Sequence, residues 1–312
     1  MGEFPRLYVD RQPPPGAVEL VAGRCELCGP DLEALATAEA IIAGSTRWDA
    51  ARFDLAPRVR VLSRSGIGYD SVDVAAATER GIVVCIAADA PTVSTAEHAV
   101  ALILAAAKRL VPNQLQLRAG AGDYFAFTRS IELAGRTLGL VGYGRIARRV
   151  GRVAAALEMD VVACDPYVTA DGAGDVALIP FAELLGRADV ISVHAPLTDE
   201  TRHLFDAAAF AAMRPSVVFV NTARGGLVDQ DALLAALESG QVGSAALDVT
   251  EPEPLPPDHP LLHRDDVLVT PHVASATDLG KGRLYEHAIE NALLVLAGGR
   301  PPHMVNPEVL AR

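Results

Sequence analysis

The residues best suited to chemistry in this 312-residue chain stand late in it, each just past a short apolar run. Arg224 follows 217–221, Glu253 follows 244–248 and a Thr-Glu-Pro loop, and His272 follows 267–270. An imidazole that exchanges a proton, a carboxylate that orients it and a forked guanidinium that grips an anion form the set needed to work on a hydroxy acid. Each has an ordinary reading when taken singly: Arg224 as a helix cap, Glu253 as a solvated loop acid among prolines, His272 as a satisfied loop histidine. Their succession at three strand ends favours the chemical reading, because ligands of open α/β sheets gather outside the carboxyl ends of the strands.

A second constellation precedes it. The apolar run 137–141 leads into Gly142-Tyr143-Gly144-Arg145-Ile146-Ala147 and then a helical stretch, 147–157. The first glycine permits a tight turn, the second lets backbone approach a pyrophosphate, and the small third residue lets the helix pack on the strand. Glycines alone are weak evidence, since many strand-to-helix turns need them for steric reasons. The next apolar run, 161–164, ends at Asp165, where a carboxylate can accept hydrogen bonds from ribose hydroxyls. Such a carboxylate repels a 2′-phosphate, and Pro166 and Tyr167 offer no arginine to receive one, so the expected cofactor is NAD rather than NADP.

The elements that must hold these residues alternate. Short β-branched runs are expected as strands at 7–9, 41–43, 59–63, 82–85, 137–141, 161–164, 190–194, 217–221, 244–248 and 267–270, with Ala-rich helical stretches between them. This is an α/β chain with parallel sheets covered on both faces. The segment 96–110 is apolar on all sides and is expected to be a helix buried all round that connects two lobes; a second long helix is expected at 276–297. The length suits two domains, expected as 1–98 with 286–312, and 99–285. Lys plus Arg is 27 and Asp plus Glu is 39, a net charge of −12 that argues against nucleic-acid and anionic-membrane partners. The longest apolar run, 99–107, is too short to span a bilayer, and MGEFPRLYVD carries no apolar leader. A cytoplasmic protein with reduced thiols is expected.

The sequence resembles the D-isomer-specific 2-hydroxyacid dehydrogenases over almost its whole length. The resemblance is carried by SRSGIGYDSVD (63–73), STAEHAVALIL (94–104), ELAGRTLGLVGYGRIA (132–147), VHAPLTDETRHL (193–204), NTARGGLVD (221–229), ALDVTEPEPLP (246–256), TPHVASAT (270–277) and VNPE (305–308). It implies two Rossmann-like lobes, an NAD-binding doubly wound parallel sheet inserted into a smaller flavodoxin-like substrate lobe. It implies that Arg224 binds the carboxylate of a small 2-hydroxy or 2-keto acid, that His272 exchanges the proton, and that Glu253 holds His272 and supports its protonation. Nucleotide contacts are implied at Gly142, Tyr143, Gly144, Arg145, Ile146, Asp165, Pro166, His194, Ala195, Pro196, Thr222, Ala223 and Ser275, and at Asp248 near the nicotinamide amide. Thr95 is placed near the cofactor, with a helix N-cap as its other reading. Arg64, Ile67 and Gly68 are the substrate-lobe residues, the glycines of the 66–68 loop turning amides toward an anion. A homodimer is implied, with 115–129 as its arm. Ser71, Thr250 and Tyr124 depart from the usual residues, which leaves pocket size and substrate open.

Other signals are discounted. Cys25 and Cys28 form a lone CxxC, His259 and His263 lack a helical metal-binding context, and His98, His203, His287 and His303 read as structural or exposed, so no metal is expected. A nicotinamide-sensing corepressor and a phosphite-oxidising relative share the motifs and remain alternatives. Titration should show tighter binding of NAD than of NADP; the reverse order would overturn the role given to Asp165.

Overall fold

The computed structural model describes residues 4–13, 16–121 and 129–311. The chain divides into two compact units, Met1–Thr92 with Ala276–Arg312, and Val93–Ser275. Strands in the first unit are β1 (Arg6–Val9), β2 (Glu26–Cys28), β3 (Ala40–Ala43), β4 (Val61–Arg64) and β5 (Val83–Ile86). Those in the second are β6 (Thr137–Val141), β7 (Asp160–Cys164), β8 (Ala177–Leu178), β9 (Val190–Val193), β10 (Val217–Asn221), β11 (Val242–Leu247) and β12 (Val267–Val269). The helices of nine residues or more are α1 (Thr92–Ala107), α2 (Leu110–Arg118), α3 (Arg145–Ala156), α4 (Gln230–Glu238) and α5 (Asp278–Leu296).

The first unit has a five-stranded sheet in the order β2-β1-β3-β4-β5, every pairing parallel. That is the 2-1-3-4-5 order of flavodoxin-like sheets. Successive side chains of a strand point to opposite faces, so each strand feeds two cores. Leu7, Val9, Ile42, Val61 and Val83 pack under α5 against Tyr285, Ala288, Ile289 and Ala292. Tyr8, Ile41, Leu62 and Val84 pack on the other face with Leu35, Trp48 and Phe53. The VNPE segment is stitched to this sheet by Asn306, whose carboxamide accepts from Val84 N at 2.7 Å and donates to Ile82 O and Thr78 Oγ1 at 2.9 Å each.

The second unit has a seven-stranded parallel sheet, β12-β11-β10-β9-β6-β7-β8. The chain winds outward in one direction through β7 and β8, then returns to the other side of β6 and runs on through β9, β10, β11 and β12, so the winding reverses between β6 and β9. Helices cover both faces, and β9 and β10 are buried along their whole length, which is why they read as unbroken apolar runs.

Two edge strands, β2 and β8, are not among the strands expected from sequence, being only three and two residues long. Helix α1 departs from expectation in burial. Ala99, Leu102, Ile103 and Ala106 are buried, but Glu97 and Ala101 are exposed and Val100, Leu104 and Ala105 only half-buried. Alanine on every side makes a helix read as apolar all round, yet each methyl loses little by facing water. Replacing Asn306 with Ala should cost about 2–3 kcal/mol, because it strands a buried amide and a buried carbonyl. Urea unfolding checks this; an unchanged midpoint would contradict it.

Candidate active site and dinucleotide cradle

The cradle lies at the reversal between β6 and β9. Gly142, at φ +86°, sits so close to the chain after β9 that a Cβ would come within 2.7 Å of His194 C and Ala195 N. His194 N in turn donates to Val141 O at 2.7 Å. The second glycine is different: a Cβ on Gly144 would meet nothing within 4 Å, so open space stands over the turn. Helix α3 begins at Arg145, and its N-cap, Gly144, has no side chain to cap it. Ala147 is fully buried where the helix crosses the sheet, as the small third residue requires.

Asp165 stands at the end of β7. Its Oδ2 accepts from Tyr143 N at 2.8 Å and its Oδ1 from Tyr167 N at 2.9 Å, so it braces the glycine turn while keeping further lone pairs. Pro166 is exposed beside it, Ile146 is half-buried and Arg145 exposed. At the end of β10, Thr222 is 8% exposed and its Oγ1 is buried with no partner. A buried hydroxyl left unpaired in this way fits a site that expects a polar ligand. Burial pushes His194 down to about 4, so the ring stays neutral, 2.9 Å from Ser192 Oγ through Nε2. Ala195 and Ser275 are half-buried and Pro196 exposed. Thr95 lies within α1, which starts three residues earlier, so it is not an N-cap.

The candidate trio follows the ends of three neighbouring strands, β10, β11 and β12. Arg224 leaves β10 through a turn tied by Asn221, whose side chain donates to Arg224 O at 2.8 Å and accepts from Ala223 N at 2.9 Å. Glu253 lies in the loop after β11, and its Oε1 is 2.5 Å from His272 Nδ1. Both members of this pair are partly open, with side chains 39% and 41% exposed. The turn bearing Arg224 and the loop bearing Glu253 are pressed together: a Cβ on Gly225 would fall 2.1 Å from the Thr250 carbonyl. Asp248 is 1% exposed, and its carboxylate accepts from Thr270 Oγ1, Val273 N and Ala274 N.

Sequence reasoning missed Gln230, at the start of α4. Its amide clamps the Glu251 backbone, Nε2 donating to Glu251 O at 2.5 Å and Oε1 accepting from Glu251 N at 3.2 Å. No local pattern marks it, since the partner is 21 residues away. His98, read from sequence as structural or exposed, has its Nε2 3.1 Å from Thr270 Oγ1.

In the other unit, Arg64 ends β4, half-buried, and donates to Ala43 O at 3.2 Å. Ile67 is 37% exposed in the loop that follows. A Cβ on Gly66 would come within 3.3 Å of the Arg64 guanidinium. Burial raises the Cys25 and Cys28 thiols above their ordinary value, which favours the unreactive protonated form.

Residues 100–274 match the family model described as D-isomer specific 2-hydroxyacid dehydrogenase, NAD binding domain. The chain belongs to this family. Among the D-2-hydroxyacid dehydrogenases and their relatives, it is 38% identical to a glyoxylate reductase of Korarchaeum cryptofilum, over 84% of this chain and 80% of the relative. It is 44% identical to a D-3-phosphoglycerate dehydrogenase of Archaeoglobus fulgidus over 77% of this chain, but that match takes in only 46% of the relative. The chain thus spans about half the length of the phosphoglycerate dehydrogenases it matches. Among solved structures it is similar to the D-lactate dehydrogenase of Aquifex aeolicus complexed with NAD and lactic acid, at 27% identity and TM-score 0.85 over 94% of this chain and 96% of that one. The TT0316 protein of Thermus thermophilus gives 36% identity and TM-score 0.87 over 96% of this chain and 99% of that one. NAD is the cofactor of this domain, and the open turn at Gly144, the Asp165 carboxylate and the orphan Thr222 hydroxyl fit it.

His194 generates a stability prediction for this dehydrogenase fold. Its pKa lies below the ordinary 6.5, so the unfolded chain takes up the proton first, and stability falls as pH drops from about 6.5 toward about 4. Between about pH 7 and about pH 4.5, His194→Asn should lose about 2 kcal/mol less than the parent protein in urea unfolding. Parallel losses in the two proteins would contradict a neutral imidazole in the folded state.

Proposed function

We propose that this protein is an NAD-dependent D-2-hydroxyacid dehydrogenase, acting between a small 2-hydroxy acid and the corresponding 2-keto acid. The observation that carries the reading is the 2.5 Å Glu253–His272 pair, set at strand ends neighbouring that of Arg224 in the unit that holds the dinucleotide cradle. NAD, when bound, supplies the hydride acceptor for oxidation and, reduced, the donor for reduction.

The chain's own residues do the rest. With Nδ1 engaged by Glu253, His272 has Nε2 for the substrate oxygen: it takes the hydroxyl proton in oxidation and returns it to the alkoxide oxygen in reduction. The Glu253 carboxylate fixes the ring and offsets the positive charge it gains. Arg224 presents a forked cation to the substrate carboxylate and keto oxygen. Arg64, Ile67 and Gly68 are the proposed substrate contacts of the other unit. Gly142, Tyr143, Gly144, Arg145 and Ile146 receive the pyrophosphate, Asp165 with Pro166 the adenosine ribose, and His194, Ala195, Pro196, Thr222, Ala223, Asp248, Ser275 and Thr95 line the remainder.

Among the described residues no helix is long and apolar enough to cross a membrane. A cytoplasmic homodimer completes the proposal. Helix α2 exposes Leu110, Val111, Leu115 and Leu117, apolar area that a second copy would cover. Of the arm expected at 115–129, residues 122–128, with Tyr124, lie outside the described residues.

Oxidation of NADH with a panel of glyoxylate, hydroxypyruvate, pyruvate and bulkier 2-keto acids tests the activity, and turnover with at least one is expected. His272→Gln and Arg224→Ala should each lower kcat/KM by about 10²–10⁴-fold. Near-normal kinetics in either variant would remove that residue from the site. NADH binding without turnover of any acid would favour the sensing reading instead.

A further inference from the structure

The geometry points to His98 as a positioning residue that acts through Thr270 and Asp248 to hold the backbone presenting His272. The inference rests on the acid/base reading of His272 and extends it.

His272 has φ +53°, in the left-handed region. For a residue with a Cβ this conformation costs roughly 1–2 kcal/mol, and it persists only where its surroundings over-determine it. Here three successive amides end on one residue. His272 N donates to Asp248 O at 2.8 Å, Val273 N to Asp248 Oδ1 at 2.9 Å and Ala274 N to Asp248 Oδ2 at 2.9 Å. Asp248 is therefore the post to which the segment is tied, and the angle at which the imidazole leaves the chain is set there.

The post must itself be held. A carboxylate 1% exposed is costly unless its lone pairs are matched, and the two amides leave capacity on Oδ1. Thr270 Oγ1 fills part of it at 2.6 Å. His98 reaches in from α1, its Nε2 3.3 Å from Asp248 Oδ1 and 3.1 Å from Thr270 Oγ1. Burial raises the Asp248 pKa, but the bonds from His98, Thr270 and the two amides outweigh it and hold the carboxyl below its ordinary value. A neutral imidazole with its proton on Nε2 is sufficient to donate, so the lock does not require a charged His98. The result is a three-residue brace in which α1 is bonded to the strand-end loops that carry His272.

Three variants of the full chain test the brace. His98→Leu keeps bulk and removes the donor, His98→Gln places an amide nitrogen near the position of Nε2, and Thr270→Val removes the bridging hydroxyl. In the cofactor-free protein, His98→Leu should raise hydrogen exchange at the Val273 and Ala274 amides by about tenfold or more, leaving the β6 and β9 amides unchanged. In NADH-dependent reduction of glyoxylate or hydroxypyruvate, it should lower kcat by about 10–100-fold, with the KM for the keto acid within about twofold of the parent. His98→Gln should restore most of the loss, and Thr270→Val should reproduce it if His98→Leu does not fold. In a His272→Gln background, His98→Leu should add less than about twofold, since it has no further route to the reaction.

Unchanged amide exchange at 273 and 274 would overturn the proposal. So would an equal loss with and without His272. A His272→Gln variant with normal kcat would instead sink the acid/base reading, while the exchange data would still decide whether His98 holds the segment.

Discussion

A parallel sheet delivers every strand's carboxyl end to one edge, and the chemistry of this protein depends on that constraint. In the second unit the order β10, β11, β12 makes neighbours of three loops that are well separated along the chain, so a guanidinium, a carboxylate and an imidazole share one edge. The same edge carries the reversal between β6 and β9, where Gly142 lies against the backbone of His194 and Ala195. A ligand seated at the reversal therefore meets groups offered by strands on the same side of the sheet, with no loop needing to cross it.

Holding the groups at useful angles is a separate problem from bringing them together, and backbone contacts solve it. Gly225 lies against the Thr250 carbonyl, Gln230 clamps the Glu251 backbone, and Asp248 takes up the amides of 272–274. The first and the last tie the segment of a candidate side chain to a neighbouring strand end, and the clamp ties the Glu251 loop to the start of α4. The alternative, pairing the long side chains directly, would cost rotamer entropy and leave the partly open Glu253–His272 pair to be screened by water.

Much of this was legible in the sequence because its signals are local. Glycine spacing after an apolar run, and an acid closing the next run, follow from short-range sterics and mark the candidate cradle at Gly142, Gly144 and Asp165. Strand ends could be read from β-branched runs, so Arg224, Glu253 and His272 were placed at theirs. The brace and the clamp were not legible, because Gln230 and His98 meet partners 21 and 172 residues away and lie in helices where their types are unremarked by any local pattern. Edge strands β2 and β8 escaped for a related reason: with three and two residues they show no periodicity, and pairing with β1 and β7 alone makes them strands. Helix α1 is less buried than its composition suggests, since alanine counts as apolar whether or not anything covers it.

Isotope transfer measures the central claim most directly. Reduction of a 2-keto acid with NADH deuterated at C4, followed by NMR of the product, should place deuterium at C2 of a single enantiomer, the D-hydroxy acid. Product without deuterium at C2 from either face of the nicotinamide, or a racemic product, would contradict the account.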